Sequence, residues 1–245
     1  MLALRTMRFV ILFISAIITA AATAGDHTFR SPEIRTAMIE LYTSEGCSSC
    51  PSAEAWLGGL KNEPGLWRDF VPVAFHVDYW DYLGWKDRFA SAANTQRQRS
   101  LAGTWASHSV YTPCFVLDGA EWRARRVPSA GKETVGVLEA RVSGGKITVT
   151  YSPSQQPAQP REVWLAVLGG GLASDVKAGE NAGRKLTQDF VALSVSKAPL
   201  VFSEGKQTAA LTFTKTENAK ALALWVTAKG SLAPQQATGE WLPLP

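Results

Sequence analysis

The chain of 245 residues is 46% hydrophobic and 19% charged, enough apolar content to bury the core of one large domain or of two small ones. Its 25 Lys and Arg stand against 21 Asp and Glu, a formal +4, with no basic run or basic helical face, so neither nucleic-acid nor membrane-surface binding is expected. Three cysteines are too few for a disulfide framework, and their number is odd.

Arg5 and Arg8 precede an almost uninterrupted apolar run from Phe9 to Ala22, and Ala22-Thr23-Ala24 supplies the small residues of a signal-peptidase site. Residues 1–24 therefore read as an export leader. This predicts a periplasmic or secreted protein with no membrane span after the leader is removed. Residues 36–42 then read as a buried strand. Residues 52–62 read as a helix in which Ala53, Trp56, Leu57 and Leu60 share a face. Pro51 suits its first turn, where a missing N–H costs nothing. Between strand and helix stands Gly46-Cys47-Ser48-Ser49-Cys50.

Val71 to Asp78 is a second strand with alternating faces. Residues 86–107 are mainly helical, with Phe89, Ala92, Ala93 and Leu101 facing inward. Pro113 to Leu117 is a third strand, and Asp118-Gly119 a tight turn into Glu121-Trp122-Arg123. Residues 129–142 read as a further helix, weakened by Gly131 and Gly136.

Beyond Gly144-Gly145 the pattern changes. Lys146–Tyr151, Glu162–Leu168, Phe190–Val195, Gln207–Phe213 and Ala221–Thr227 favour strand and are divided by Pro- and Gly-rich turns. The expected fold is an α/β thioredoxin-like domain over residues 34–142, with a CxxC at its first strand–helix junction. An all-β, sandwich-like domain over residues 145–245 follows it.

The stretch from Glu40 to Glu54 resembles a bacterial family of secreted thioredoxin-like proteins long labelled as a domain of unknown function. His76-Val77-Asp78-Tyr79-Trp80-Asp81, Gly84-Trp85-Lys86-Asp87, Arg97-Gln98, Val110-Tyr111-Thr112-Pro113 and Gly179 to Leu186 carry the same resemblance along nearly the whole mature chain. It implies that Thr112-Pro113 is a cis-proline loop packed against the cysteines, its Thr112 backbone open to an extended substrate strand. Ser48-Ser49 stand where thioredoxin itself has Gly-Pro, and Gly46 where it has Trp.

Cys47, at the start of a helix, lies where unsatisfied N–H groups and the helix dipole favour a thiolate, the attacking species in disulfide exchange. Cys50, one turn further in, suits a resolving thiol. The pair predicts a thiol-disulfide oxidoreductase acting on protein thiols or disulfides, with no cofactor or metal and with an unspecified redox partner. Glu45 either opposes the Cys47 thiolate, accepts the Cys50 proton or is a solvated loop residue. His76 and Asp78 share a face near a strand end, where open α/β sheets place ligands. Tyr79, Trp80, Tyr82 and Trp85 are expected as a rim beside the CxxC. Arg97 and Gln98 either join that network or sit on a helix surface. Cys114, next to Pro113, either turns into the core by strand alternation as an inert thiol or serves as a third redox thiol.

Two other readings use the same residues. Cys47 and Cys50 with His76 or His108 make a soft donor set for Cu(I), which requires the His76 ring at both sulfurs. Alternatively the chain is an interaction protein with an inert disulfide. Gly169-Gly170-Gly171 lacks the lysine and spacing of a phosphate loop, and the Gly179–Leu186 segment has no assignable mechanism.

Overall fold

A computed structural model describes residues 26–155, 159–203 and 205–243. The expected leader over residues 1–24 lies outside them. Among the described residues, no helix is long and apolar enough to cross a membrane.

The first half contains β1 (His27–Arg30), β2 (Ala37–Thr43), α1 (Cys50–Gly59), β3 (Phe70–His76), α2 (Ala92–Ala102), β4 (Cys114–Leu117), β5 (Ala120–Glu121) and β6 (Gly136–Ser143). Among the described residues, the regular elements of the second half are all strands: β7 (Lys146–Pro153), β8 (Arg161–Gly169), β9 (Leu172–Asp175), β10 (Lys185–Gln188), β11 (Val191–Pro199), β12 (Val201–Ser203), β13 (Lys206–Thr212), β14 (Ala219–Ala228) and β15 (Pro234–Trp241).

Eight strands form one mixed sheet in the order β15-β14-β8-β11-β3-β2-β4-β5, and five form an antiparallel sheet in the order β1-β6-β7-β13-β12. Strands β2 and β3 run parallel, from Ala37 opposite Phe70 to Thr43 opposite His76. Strand β4 lies antiparallel to β2, with Cys114 opposite Tyr42. Strand β11 joins the other side of β3 in parallel through Val191 opposite Ala74.

This topology overturns the expectation of an α/β thioredoxin-like domain followed by a separate sandwich-like domain. The described residues are 45% strand and 13% helix, with two α-helices among them. Strands β8, β11, β14 and β15 extend the same sheet that holds β2, β3 and β4, so that sheet takes strands from both sides of residues 142–146.

Strands β2, β3 and β14 are buried on both faces, which explains their continuous apolar runs, whereas β11 is mostly exposed beyond Ala192. On β14, Ala221, Ala223 and Trp225 face one core, with Leu41, Phe75 and Leu57. Leu222, Leu224 and Val226 face the other, shared with Leu138, Val149 and Tyr151 of the five-stranded sheet. The alternation is the strand period of two.

Two helix expectations fail locally. Residues 136–143 are β6, whose Leu138, Ala140 and Val142 point inward while Glu139 and Arg141 do not. Good helix formers are overridden there by packing. Gly136 sits at φ 104°, and a Cβ would meet Ser152 O at 2.1 Å. Helix α2 begins only at Ala92, where the Ser91 hydroxyl accepts from Asn94 N–H at 3.2 Å. Its buried face is mostly polar, with Asn94, Thr95, Arg97 and Gln98, while Ala92 and Ala93 are exposed.

Candidate functional site

Strand β2 is held on both sides as far as its end, which fixes where the chain turns toward α1. Three hydrogen bonds shape that turn: Gly46 N–H to Ser44 Oγ at 3.1 Å, Cys47 N–H to Ser44 O at 3.2 Å, and Cys50 N–H to Cys47 O at 3.2 Å. Helix α1 starts at Cys50 with Pro51 in its first turn. Cys47 and Cys50 form a disulfide with their Cα atoms 5.4 Å apart. Cys47 is 1% exposed and Cys50 fully buried, whereas Ser48 and Ser49 are exposed. The Ser49 hydroxyl lies 3.3 Å from Cys47 Sγ.

The Thr112–Pro113 peptide is cis. Because Cys114 pairs with Tyr42, Pro113 enters at the same sheet end as the CxxC turn. Trp80 joins the two loops. A Cβ on Gly46 would lie 3.1 Å from Trp80 Cβ, and Trp80 Nε1–H donates to Thr112 Oγ1 at 2.8 Å. The missing side chain at position 46 is thus the space that Trp80 occupies. Gln98 donates from Nε2 to Tyr111 O at 2.7 Å and accepts from Tyr79 Oη, steadying the same loop. Trp80 and Trp85 pack inward as a rim, while Tyr82 is 78% exposed. Cys114 faces the core, and burial pushes its thiol up to about 11.

Beside Pro113 opens a cleft of about 450 Å³ lined by Tyr111, Phe115, Trp122, Arg123 and Arg125. Its arginines belong to the exposed stretch Arg123-Ala124-Arg125-Arg126, a short basic cluster that the whole-chain charge balance hides.

Beneath the disulfide lies a group of buried ionisable side chains. Glu45 turns inward, not to solvent: its carboxylate accepts from Trp85 Nε1–H at 2.7 Å and Gln188 Nε2–H at 3.2 Å. His76 Nδ1 pairs with Asp87 Oδ2 at 2.6 Å, both side chains fully buried. Burial opposes charge on the imidazole, but the adjacent Asp87 carboxylate outweighs it and raises the His76 pKa. Burial likewise works against the Asp87 carboxylate, and the His76 charge and hydrogen bond outweigh that, lowering its pKa. Asp87 Oδ2 also accepts from Glu45 N–H at 2.9 Å, tying this pair to the CxxC turn. Asp78 goes elsewhere, accepting from Thr95 Oγ1 at 2.6 Å.

Glu54 was not singled out in the sequence. It follows Cys50 by one helical turn, a spacing that puts both on one helix face. It is 5% exposed, accepts from Thr43 Oγ1 at 2.7 Å, and has its pKa raised, chiefly by burial. Arg97, expected near the site or on a surface, is instead a core residue. It makes a two-pronged pair with Glu40 at 2.8 and 2.9 Å, and Tyr42 Oη donates to the same carboxylate.

The loop between β9 and β10 reaches across to the cysteines. Asn181, fully buried, donates from Nδ2 to the carbonyls of Glu45 and Cys47, each at 2.9 Å. Its Oδ1 accepts from Arg184 at 2.7 Å. Glu180 accepts from Ser48 N–H at 2.9 Å and from Ser48 Oγ–H at 2.7 Å. Gly179, at φ 74°, lets the loop pass close to Gly46 and Trp85. The Gly179–Leu186 segment, left without a mechanism by the sequence, is a strap on the CxxC turn.

The Cu(I) arrangement needs a histidine nitrogen at both sulfurs; Asp87 holds His76 Nδ1, while the buried Nε2 has no hydrogen-bond partner among the described residues. Among the described residues, no group of three or more His, Cys, Asp or Glu side chains is placed to hold a metal ion.

Two solved structures share the fold. Protein AGR_C_4864 from Agrobacterium tumefaciens matches with a TM-score of 0.61 at 24% identity, over 86% of this chain and 95% of its own. HBP35 of Porphyromonas gingivalis matches with a TM-score of 0.58 at 14% identity, over 85% of this chain and 76% of its own. No curated protein matches the chain. The profile of the family described as protein of unknown function (DUF1223) matches residues 38–227, and the chain belongs to that family.

Proposed function

We propose that the protein is an exported thiol-disulfide oxidoreductase that exchanges disulfides with other proteins through Cys47 and Cys50. The observation that carries this reading is the Cys47–Cys50 disulfide at a strand–helix turn that Trp80 couples to the Thr112–Pro113 loop. In the reductive direction, the Cys47 thiolate attacks one sulfur of a substrate disulfide. That bond breaks, a Cys47–substrate disulfide forms, and the departing thiolate takes a proton from solvent. Cys50 then loses its proton and attacks Cys47 Sγ, which closes the Cys47–Cys50 disulfide and releases the second substrate thiol. The oxidative direction is the reverse.

Cys50 is buried and needs a local proton acceptor. Glu54 fits that role better than Glu45, because it lies one helical turn from Cys50 and accepts one hydrogen bond, from Thr43, where Glu45 accepts two, from Trp85 and Gln188. A carboxylate whose pKa is raised by burial moves toward the range useful for proton transfer near neutrality. The cleft beside Pro113, with Tyr111 and Trp122 among its walls, suits an extended polypeptide segment.

The test is a trap. Cys50→Ser should accumulate mixed disulfides through Cys47 when expressed with its leader, and Cys47→Ser should accumulate none. Extracts without Cys47-dependent adducts, from a folded variant, sink the reading.

A further inference from the structure

Cys47 lies on the turn three residues before α1 and is disulfide-bonded to Cys50 at the helix start, where the unpaired N–H groups carry roughly half a positive charge that favours a thiolate. One residue on, the Ser48 N–H and hydroxyl both point at a carboxylate brought from 132 residues away in the chain, Glu180. Glu45, the acid nearest Cys47 in sequence, is turned into the core and held there. The carboxylate beside the exposed side of the turn is therefore Glu180, positioned by the neighbouring Asn181 amide, which grips the Glu45 and Cys47 carbonyls. Its pKa is lowered by the backbone and side-chain hydrogen bonds from Ser48, so it is charged at neutral pH.

We propose that Glu180 is a positioning residue that restrains the acidity of Cys47: its negative charge on Ser48 offsets the field of the helix start and makes the Cys47 thiolate less stable than its place in the fold implies. The inference rests on the exchange reading of the cysteine pair and adds to it the group that tunes the nucleophile. A charge one residue from the sulfur in a largely solvated setting changes a thiol pKa by tenths of a unit to about one unit. Thiolate abundance, and with it attack rate at neutral pH, changes by roughly two- to tenfold.

The experiment measures the pH dependence of iodoacetamide alkylation of the reduced protein, with the modified cysteine identified by mass. Glu180→Gln keeps an acceptor for Ser48 and removes only the charge, so the strap stays closed. Its Cys47 alkylation profile should shift to lower pH by about 0.3–1 unit relative to wild type. Raised salt should narrow the gap. Glu180→Asp, which keeps the charge, should stay closer to wild type than Glu180→Gln does. Thermal unfolding checks that each variant is folded. A Glu180→Gln profile that coincides with wild type, or moves to higher pH, overturns the inference while leaving the exchange reading in place. A wild-type Cys47 that is not alkylated at any pH sinks the exchange reading, and this inference with it.

Discussion

Asn181→Ala tests whether the β9–β10 strap holds the cysteine turn. The substitution removes the amide that donates to Glu45 O and Cys47 O. Cys47 O keeps the Cys50 N–H, so it loses about 1 kcal/mol, the value of one ordinary hydrogen bond. Glu45 O has no other partner among the described residues, and a buried acceptor left unsatisfied costs about 1–3 kcal/mol. The bond to the exposed Arg184 adds little. The total is about 2–4 kcal/mol, measurable by urea unfolding of the oxidised protein.

Part of that loss falls on the local opening that exposes Cys47, which is 1% exposed when closed. Reduction of the disulfide by a small thiol should therefore speed up, by roughly tenfold for each 1.4 kcal/mol of local loosening. Asn181→Asp is the sharper variant, since it preserves size but sets carboxylate oxygens against two carbonyls. It should be at least as damaging at neutral pH and recover as acid restores an O–H donor. If Asn181→Ala lies within about 0.5 kcal/mol of wild type and reduces at the same rate, the strap does not hold the turn.

Other outcomes follow from the buried charges. Glu40→Gln strands the Arg97 guanidinium in the core and should cost about 3–5 kcal/mol, whereas replacing both partners by Leu should recover most of it; a loss below 1 kcal/mol for Glu40→Gln contradicts the pairing. The raised His76 pKa gives stabilisation that is complete below the unfolded value of about 6.5 and fades as pH rises through the folded value. The lowered Asp87 pKa gives stabilisation present above about 3.9 and lost as pH falls through its folded value. Glu54, raised by burial, adds a decline with rising pH that begins near its unfolded value of about 4.3. Urea unfolding across pH should show Glu54→Gln with a shallower decline, and a slope equal to wild type refutes that assignment. Cys114, with its thiol pushed up to about 11 and no exposed surface, should resist iodoacetamide at pH 8 until the protein is denatured; rapid native labelling contradicts its burial.

What the sequence disclosed was mostly local. The run from Ala37 to Tyr42, the CxxC and Pro51 announce a strand, a turn and a helix start within fifteen residues, and β2 and α1 lie there. The five strands expected after residue 145 correspond to β7, β8, β11, β13 and β14, because alternating or continuous apolar runs survive in their residues. The continuity of the sheet was not legible, since β11 meets β3 through one residue pair more than a hundred positions away. Strand β6 was hidden because Glu139, Ala140 and Arg141 are good helix formers whose placement is decided by the opposite sheet. The polar face of α2 resisted for a different reason. Arg97 is buried because it pairs with Glu40, 57 residues away, and Gln98 because its amide donates to the Tyr111 carbonyl on the next loop. Glu180 and Asn181 drew notice only as part of a resemblance, since their contacts lie across the β9–β10 loop.

The most direct test of the central claim is a titration of the reduced protein with glutathione disulfide, followed by acid quenching and mass mapping. One equivalent should close the Cys47–Cys50 disulfide and release two glutathione thiols, and Cys50→Ser should stop at a glutathione adduct on Cys47. A folded protein that forms no Cys47–Cys50 disulfide, or a Cys50→Ser variant that carries its adduct on Cys114, contradicts that claim.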